Sequence, residues 1–88
     1  MSVGQALDVV EVSQLKRNIA RKIAILRGVP VSEEDVKINR VEVVGDKVVV
    51  EGEYEARSLF TGRVLEAGRF NAELDQMLDA KSITFEQK

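Results

Sequence analysis

The sequence contains no cysteine, no histidine and no tryptophan, and it has one proline, one tyrosine and three phenylalanines. Without cysteine there is no disulfide framework, no zinc thiolate site, no iron–sulfur cluster and no thiol nucleophile. Without histidine the side chain that titrates nearest neutrality is missing, and Ser-His and Cys-His constellations cannot form within the chain. An enzyme here would need carboxylates, serine or lysine with strongly shifted pKa values, and no spacing suggests a dry site that would shift them. The expectation is a protein that is not an enzyme and has no cofactor. No apolar run approaches the roughly 20 residues of a membrane span, and Met1-Ser2-Val3-Gly4 lacks the charged and apolar regions of a signal peptide, so a cytoplasmic location and no membrane partner are expected. Low Asn and Gln beside abundant Val, Glu and Arg are the composition of a thermophile.

What is present is a globular balance, 44% apolar against 32% charged, in a chain whose 88 residues suffice for a single α+β domain over residues 1–88. Val9, Val12, Leu15, Ile19, Ile23 and Leu26 recur at three and four, the stripe of an amphipathic helix. Asp8 with Glu11 has the form of a capping box, and Gly28 followed by Pro30 is a stop signal, which predicts a helix from Asp8 to Arg27, with a later start at Ser13 as the alternative. The β-branched run over residues 9–12 also reads as a short strand. Ser32 with Asp35 marks one further helical turn or a tight loop.

The period then changes to two. Val41 and Val43, a Gly45-Asp46 turn, and Val48, Val50, Gly52, Tyr54 and Ala56 form a hairpin pattern. Phe70, Ala72 and Leu74 continue it after a loop at Ser58 to Arg63, and Ile83 and Phe85 mark a fourth strand after a turn at Asp75 to Asp79. The two-residue turn pairs Val43 with Val48, Val41 with Val50 and Arg40 with Glu51, and a β-bulge near Asn39-Arg40 is needed to bring Val36 and Ile38 onto the same face. Pairing Val50 with Phe70 sets Gly52 opposite Gly68, Ala56 opposite Val64 and Glu51 opposite Arg69. Pairing Phe70 with Phe85 sets Arg69 opposite Glu86. Arg40, Glu51, Arg69 and Glu86 would then form one row of alternating charge, and the other face would receive the helix. The expected fold is α+β: one N-terminal amphipathic helix packed on a curved four-stranded antiparallel meander sheet, order 1-2-3-4.

A helix followed by such a meander is similar to the cystatin-like plan. The stretch Val48-Val49-Val50-Glu51-Gly52-Glu53-Tyr54-Glu55, then Val64-Leu65, then Phe70-Asn71-Ala72-Glu73-Leu74-Asp75, resembles the strand region of the gas-vesicle accessory O family, a patterning shared with peptidase-propeptide-like (PepSY) domains. The resemblance implies a small α+β domain, and no residue role is carried over from it.

Candidate functional residues fall into three groups. Lys16, Arg17, Arg21, Lys22 and Arg27 lie on the helix with no acidic residue between Glu11 and Glu33, a pattern that fits a phosphate or nucleic-acid surface or, alternatively, a solvated face that complements the helix dipole. The absence of stacking aromatics there favours the second. Glu51, Glu53 and Glu55 share a strand face and could bind a hard cation, but the same residues serve a surface charge row. Tyr54 points inward and reads as a core residue with its hydroxyl at the edge. Ile25, Val49, Leu59, Phe60 and Leu65 are apolar residues to which a single-chain core assigns no place, and Leu59 and Phe60 either contact a partner or fold over the open end of the core. With few aromatics for a core, self-association as a homodimer through these five residues is the leading functional expectation, an unidentified protein partner the variant of it, and nucleic-acid binding through the basic helix the alternative.

Overall fold

The computed structural model describes residues 9–86, with side chains from residue 12 onward. Helix α1 spans Val9–Arg27 and is followed by a 3₁₀ turn at Glu33–Asp35 and by strands β1 (Val36–Val44), β2 (Lys47–Arg57), β3 (Val64–Leu74) and β4 (Ala80–Glu86). The strands form one open antiparallel sheet in the order β1-β2-β3-β4, with α1 packed across one face. Residues 9–12 are helical, so the strand alternative fails there: the three-and-four spacing of Val12 with Leu15 and Ile19 outweighs the β-branched propensity of the run. The proposed cap at Asp8 lies outside the described residues. At the other end, Gly28 at φ 66° donates its N–H to the Ala24 carbonyl at 2.9 Å, the left-handed cap that only glycine adopts without a Cβ penalty.

Leu15, Ile19 and Ile23 are fully buried against Val50, Phe70, Ala72 and Leu74 on the inner face of the sheet. Each such side chain contributes about 1.5–3 kcal/mol on leaving water. Leu26, assigned by periodicity to the same stripe, is half exposed. The buried side of the helix turns instead toward Ala20, and in the last turn Arg27 rather than Leu26 reaches the sheet. Asn18 pins the middle of α1 to the β3–β4 turn by donating to the Leu78 carbonyl at 2.6 Å.

The outer hairpins have the expected registers. Val43 pairs with Val48, Val41 with Val50 and Arg40 with Glu51, and the bulge between Ile38 and Arg40 returns Ile38 and Val36 to the inner face. Phe70 pairs with Phe85 and Arg69 with Glu86. The central pair β2–β3 differs by two residues from the expected register: Gly52 faces Phe70, Tyr54 faces Gly68, and Glu51 faces Asn71 rather than Arg69. A bulge after Ala56 places Glu66 opposite Ala56 and Val64 opposite Arg57. A two-residue slip keeps every side chain on its own face, so alternation cannot detect it. The glycines decide it. The Phe70 ring lies over Gly52, within 2.8 Å of where a Cβ would be, and the Tyr54 ring lies over Gly68 at 3.4 Å from its own Cβ position. The two small residues thus each make room for an aromatic across the strand, whereas the Gly52–Gly68 pairing would have left a void. The charge row survives through other residues, running Lys37, Glu53, Arg69, Glu86 across the four strands.

Candidate functional site

The loop between β2 and β3 is built around Ser58. Its N–H donates to the Arg63 carbonyl at 2.8 Å, its carbonyl accepts from Gly62 at 2.9 Å, and its hydroxyl accepts from the backbone of Phe60 and Thr61, both at 3.2 Å. These bonds fix the backbone of the tip while leaving its apolar side chains outside. Phe60 is 98% exposed and Leu59 84%. The alternative in which this loop folds over the open end of the core is therefore not what occurs. The end of the core is closed instead by a polar latch, and the loop side chains are free to project.

That latch joins the end of α1 to the sheet. The Arg27 guanidinium donates to both carboxylate oxygens of Glu66, at 2.8 and 3.2 Å, and lies 5.3 Å from the centre of the Phe85 ring. Tyr54, buried, donates its hydroxyl to the same carboxylate and meets Phe85 edge to face, ring centres 5.8 Å apart. The two donors hold the Glu66 carboxyl below the usual range, Arg27 more than Tyr54. Burial, reinforced by the Glu66 bond, pushes the Tyr54 phenol up to about 12. Tyr54 stands where the alternation put it, with its hydroxyl at the edge. Glu66 carried no signal in the sequence, since its partners are 39 and 12 residues away.

The other expected residues are distributed as follows. Leu65 is exposed at the start of β3, close in sequence to the loop tip, and Ile25 is exposed on α1. Val49 is half-buried on the outer sheet face between Glu42 and Glu73, at the opposite end of β2 from the loop, so it does not join the others. Of the five helix cations, Arg27 is held in the latch and Arg17 pairs with Glu33 at 3.8 Å. Lys16, Arg21 and Lys22 have no ion pair among the described residues. In the acidic strand, Glu53 lies 3.8 Å from Arg69 and Glu55 lies 2.7 Å from Arg57. Asp75 accepts from the backbone of Met77 and Asp79 at 2.9 and 3.1 Å, an Asx turn at the head of β4. Among the described residues no group of three or more acidic side chains is disposed to hold a metal ion, and no helix is long and apolar enough to cross a membrane. Comparison with protein families, with curated proteins and with solved structures finds no match.

Proposed function

We propose that the chain is a non-catalytic interaction module that works by associating with itself, most simply as a homodimer. The observation that carries this reading is Phe60, a phenylalanine almost wholly in water on a backbone held by four hydrogen bonds around Ser58. A scattered surface apolar residue needs no explanation, but an ordered tip of two large ones beside exposed Val64 and Leu65 is the kind of patch that partners cover. Covering it with a second copy adds apolar burial that a core with one buried phenylalanine, Phe70, has little means to supply internally. The absence of histidine and cysteine from the sequence supports a binding role over catalysis.

Mass by light scattering across a concentration range tests this reading. The expected result is twice the 9.8 kDa chain mass at high concentration, reverting to 9.8 kDa in Phe60→Asp. A chain of 9.8 kDa at every concentration would refute it. The second reading, nucleic-acid binding, is supported by Lys16, Arg21 and Lys22, which have no acidic partner among the described residues. It is the weaker of the two, because Arg17 and Arg27 are already paired. Oligonucleotide titration at two salt concentrations tests it, with salt-sensitive binding that disappears in Arg17→Ala/Arg21→Ala as the result in its favour.

A further inference from the structure

The sheet is open, and its two outer strands are not equally protected. β1 carries Lys37, Arg40 and Glu42 and is bulged between Ile38 and Arg40, devices that spoil the pairing of an edge with another chain. β4 is irregular only at its start, where the register shifts opposite Glu73 and Leu74, and from Ser82 to Phe85 it has no charge and no proline. Ile83, Thr84 and Phe85 are β-branched or aromatic, the residues that strands favour. Ile83 and Phe85 face inward but stay partly exposed, while the residues they pair with, Ala72 and Phe70, are buried. The difference is a missing neighbour: among the described residues no strand lies on the outer side of β4.

The ends of the strand constrain what fits that side. Unpaired N–H and C=O groups along an edge require another extended backbone. Lys81 stands at the start of β4 and Glu86 at its end. Two copies of this strand run antiparallel set each Glu86 beside the other's Lys81, whereas a parallel pairing sets like charges together. Lys81 lies 3.4 Å from Asp75 but keeps 65% of its side chain exposed, which leaves room for a second carboxylate. Register follows from the face each residue takes. With Thr84 on a two-fold axis, Ile83 of each copy stands opposite Phe85 of the other on the inner face, and Ser82 opposite Glu86 on the outer face. Centring on Ile83 instead sets Lys81 against Phe85, and centring on Phe85 separates Lys81 from Glu86.

We infer that two copies of this chain pair antiparallel through β4, Thr84 meeting Thr84 on the two-fold axis, to give one continuous sheet with both helices on the same face. The inference rests on the self-association reading and names its interface. It also gives the loop end a neighbour. Arg69 pairs with Glu86, which stands opposite Ser82 of the other copy, and counting outward from that line brings Val64 level with Met77 of the other copy, 79% exposed in the turn before β4. Two strand spacings, about 10 Å, separate them, a gap that the exposed apolar side chains at the loop end and Met77 narrow from both sides.

The axis position provides the test, because only a residue on a two-fold axis meets itself. Thr84 is exposed on the outer face, so a charge there leaves the fold of the single chain intact. Thr84→Lys and Thr84→Glu, each checked by circular dichroism, should weaken the dimer about fivefold by light scattering, the effect of like charges directly opposite. Mixed in equal amounts they should associate more tightly than either alone, since the mixed dimer sets Lys against Glu. The sequence has no cysteine, so Thr84→Cys supplies a single thiol, which should oxidise to a covalent dimer while Glu42→Cys on the other edge should not. The β4 pairing is overturned, with self-association left standing, if the charged variants associate like the parent, if mixing restores nothing, or if Glu42→Cys cross-links as fast as Thr84→Cys. A mass that keeps rising past two chains would overturn it too, by showing that β4 of one copy meets β1 of the next. A parent chain that stays monomeric overturns self-association itself.

Discussion

Glu66 joins the last residue of the helix to the sheet through Arg27 and Tyr54. It is half-buried at the edge of the inner face of β3, where its neighbours in alternation are Gly68, Phe70 and Ala72, and Arg27 and Tyr54 both donate to its carboxylate. The pH dependence follows from the two shifts. The Glu66 carboxyl is lower in the folded chain than its ordinary value, so its contribution to stability is complete above about pH 4.3 and is lost as the pH falls through its folded value. The Tyr54 phenol is raised to about 12, so its contribution is complete below about pH 10 and is lost as the pH rises through its folded value. Tyr54 is the sole tyrosine, and phenolate absorbance therefore reads it alone. Its midpoint should lie near 12 in the folded protein and fall in Glu66→Gln, while staying above 10 because burial is the larger cause. A midpoint near 10 in the parent would show that Tyr54 is neither buried nor bonded to Glu66 in solution. In acid, the denaturant midpoint of the parent should fall more steeply than that of Glu66→Gln, with Asp75, held low chiefly by the Asp79 N–H, contributing equally to both.

At the scale of the elements, the paired strands β2 and β3 make a sharp prediction about two glycines that look equivalent in the sequence. A Cβ at Gly52 would collide with the Lys37 carbonyl, which the β1 ladder holds in place, and with the Phe70 ring at 2.8 Å. Gly52→Ala should cost about 1–3 kcal/mol or more by overpacking. A Cβ at Gly68 meets Tyr54 at 3.4 and 3.6 Å, ordinary contact distances, and the alanine also restricts the unfolded chain. Gly68→Ala should therefore change stability by less than about 1 kcal/mol in either direction. Denaturant midpoints check both, and an equal loss at the two positions would contradict the observed register. This is also where sequence reasoning reached its limit. The Gly45-Asp46 turn specified the β1–β2 register from Val44 to Arg40, because a two-residue turn leaves no freedom in the pairing, and the parity of Val36 and Ile38 placed the bulge beyond it. The six-residue loop Ser58–Arg63 and the bulge after Ala56 do leave freedom, and alternation is blind to a slip of two. The cue was the pairing of each glycine with an aromatic, a rule of packing rather than of period. The loop itself was legible, since Leu59 and Phe60 lie outside any alternating run, but whether they project or fold over the core was not, because that depends on the Ser58 hydrogen bonds and the latch. The latch was not legible, because a glutamate at an inward position contradicts the pattern until its distant partners are known.

At the scale of the whole molecule, the described residues form an open sheet with one face covered by helix α1 and the other carrying a row of alternating charge. Its two edges and its loop end are places where another chain can add to it, and the loop end carries the two most exposed large apolar side chains, Phe60 and Leu59. If a second copy covers that end, stability becomes linked to association: a bound partner stabilises the folded state in proportion to the logarithm of its concentration over the dissociation constant. The melting temperature should then rise with protein concentration in the parent and be independent of it in Phe60→Asp, with the two curves converging at high dilution where the parent is monomeric. Salt separates this from the nucleic-acid reading. An apolar tip covered by a second copy loses little when charges are screened, whereas phosphate contacts made by Lys16, Arg21 and Lys22 would weaken steeply. The concentration dependence of melting should therefore persist at high salt. Its disappearance there would mean that charged contacts, rather than Phe60, hold the copies together.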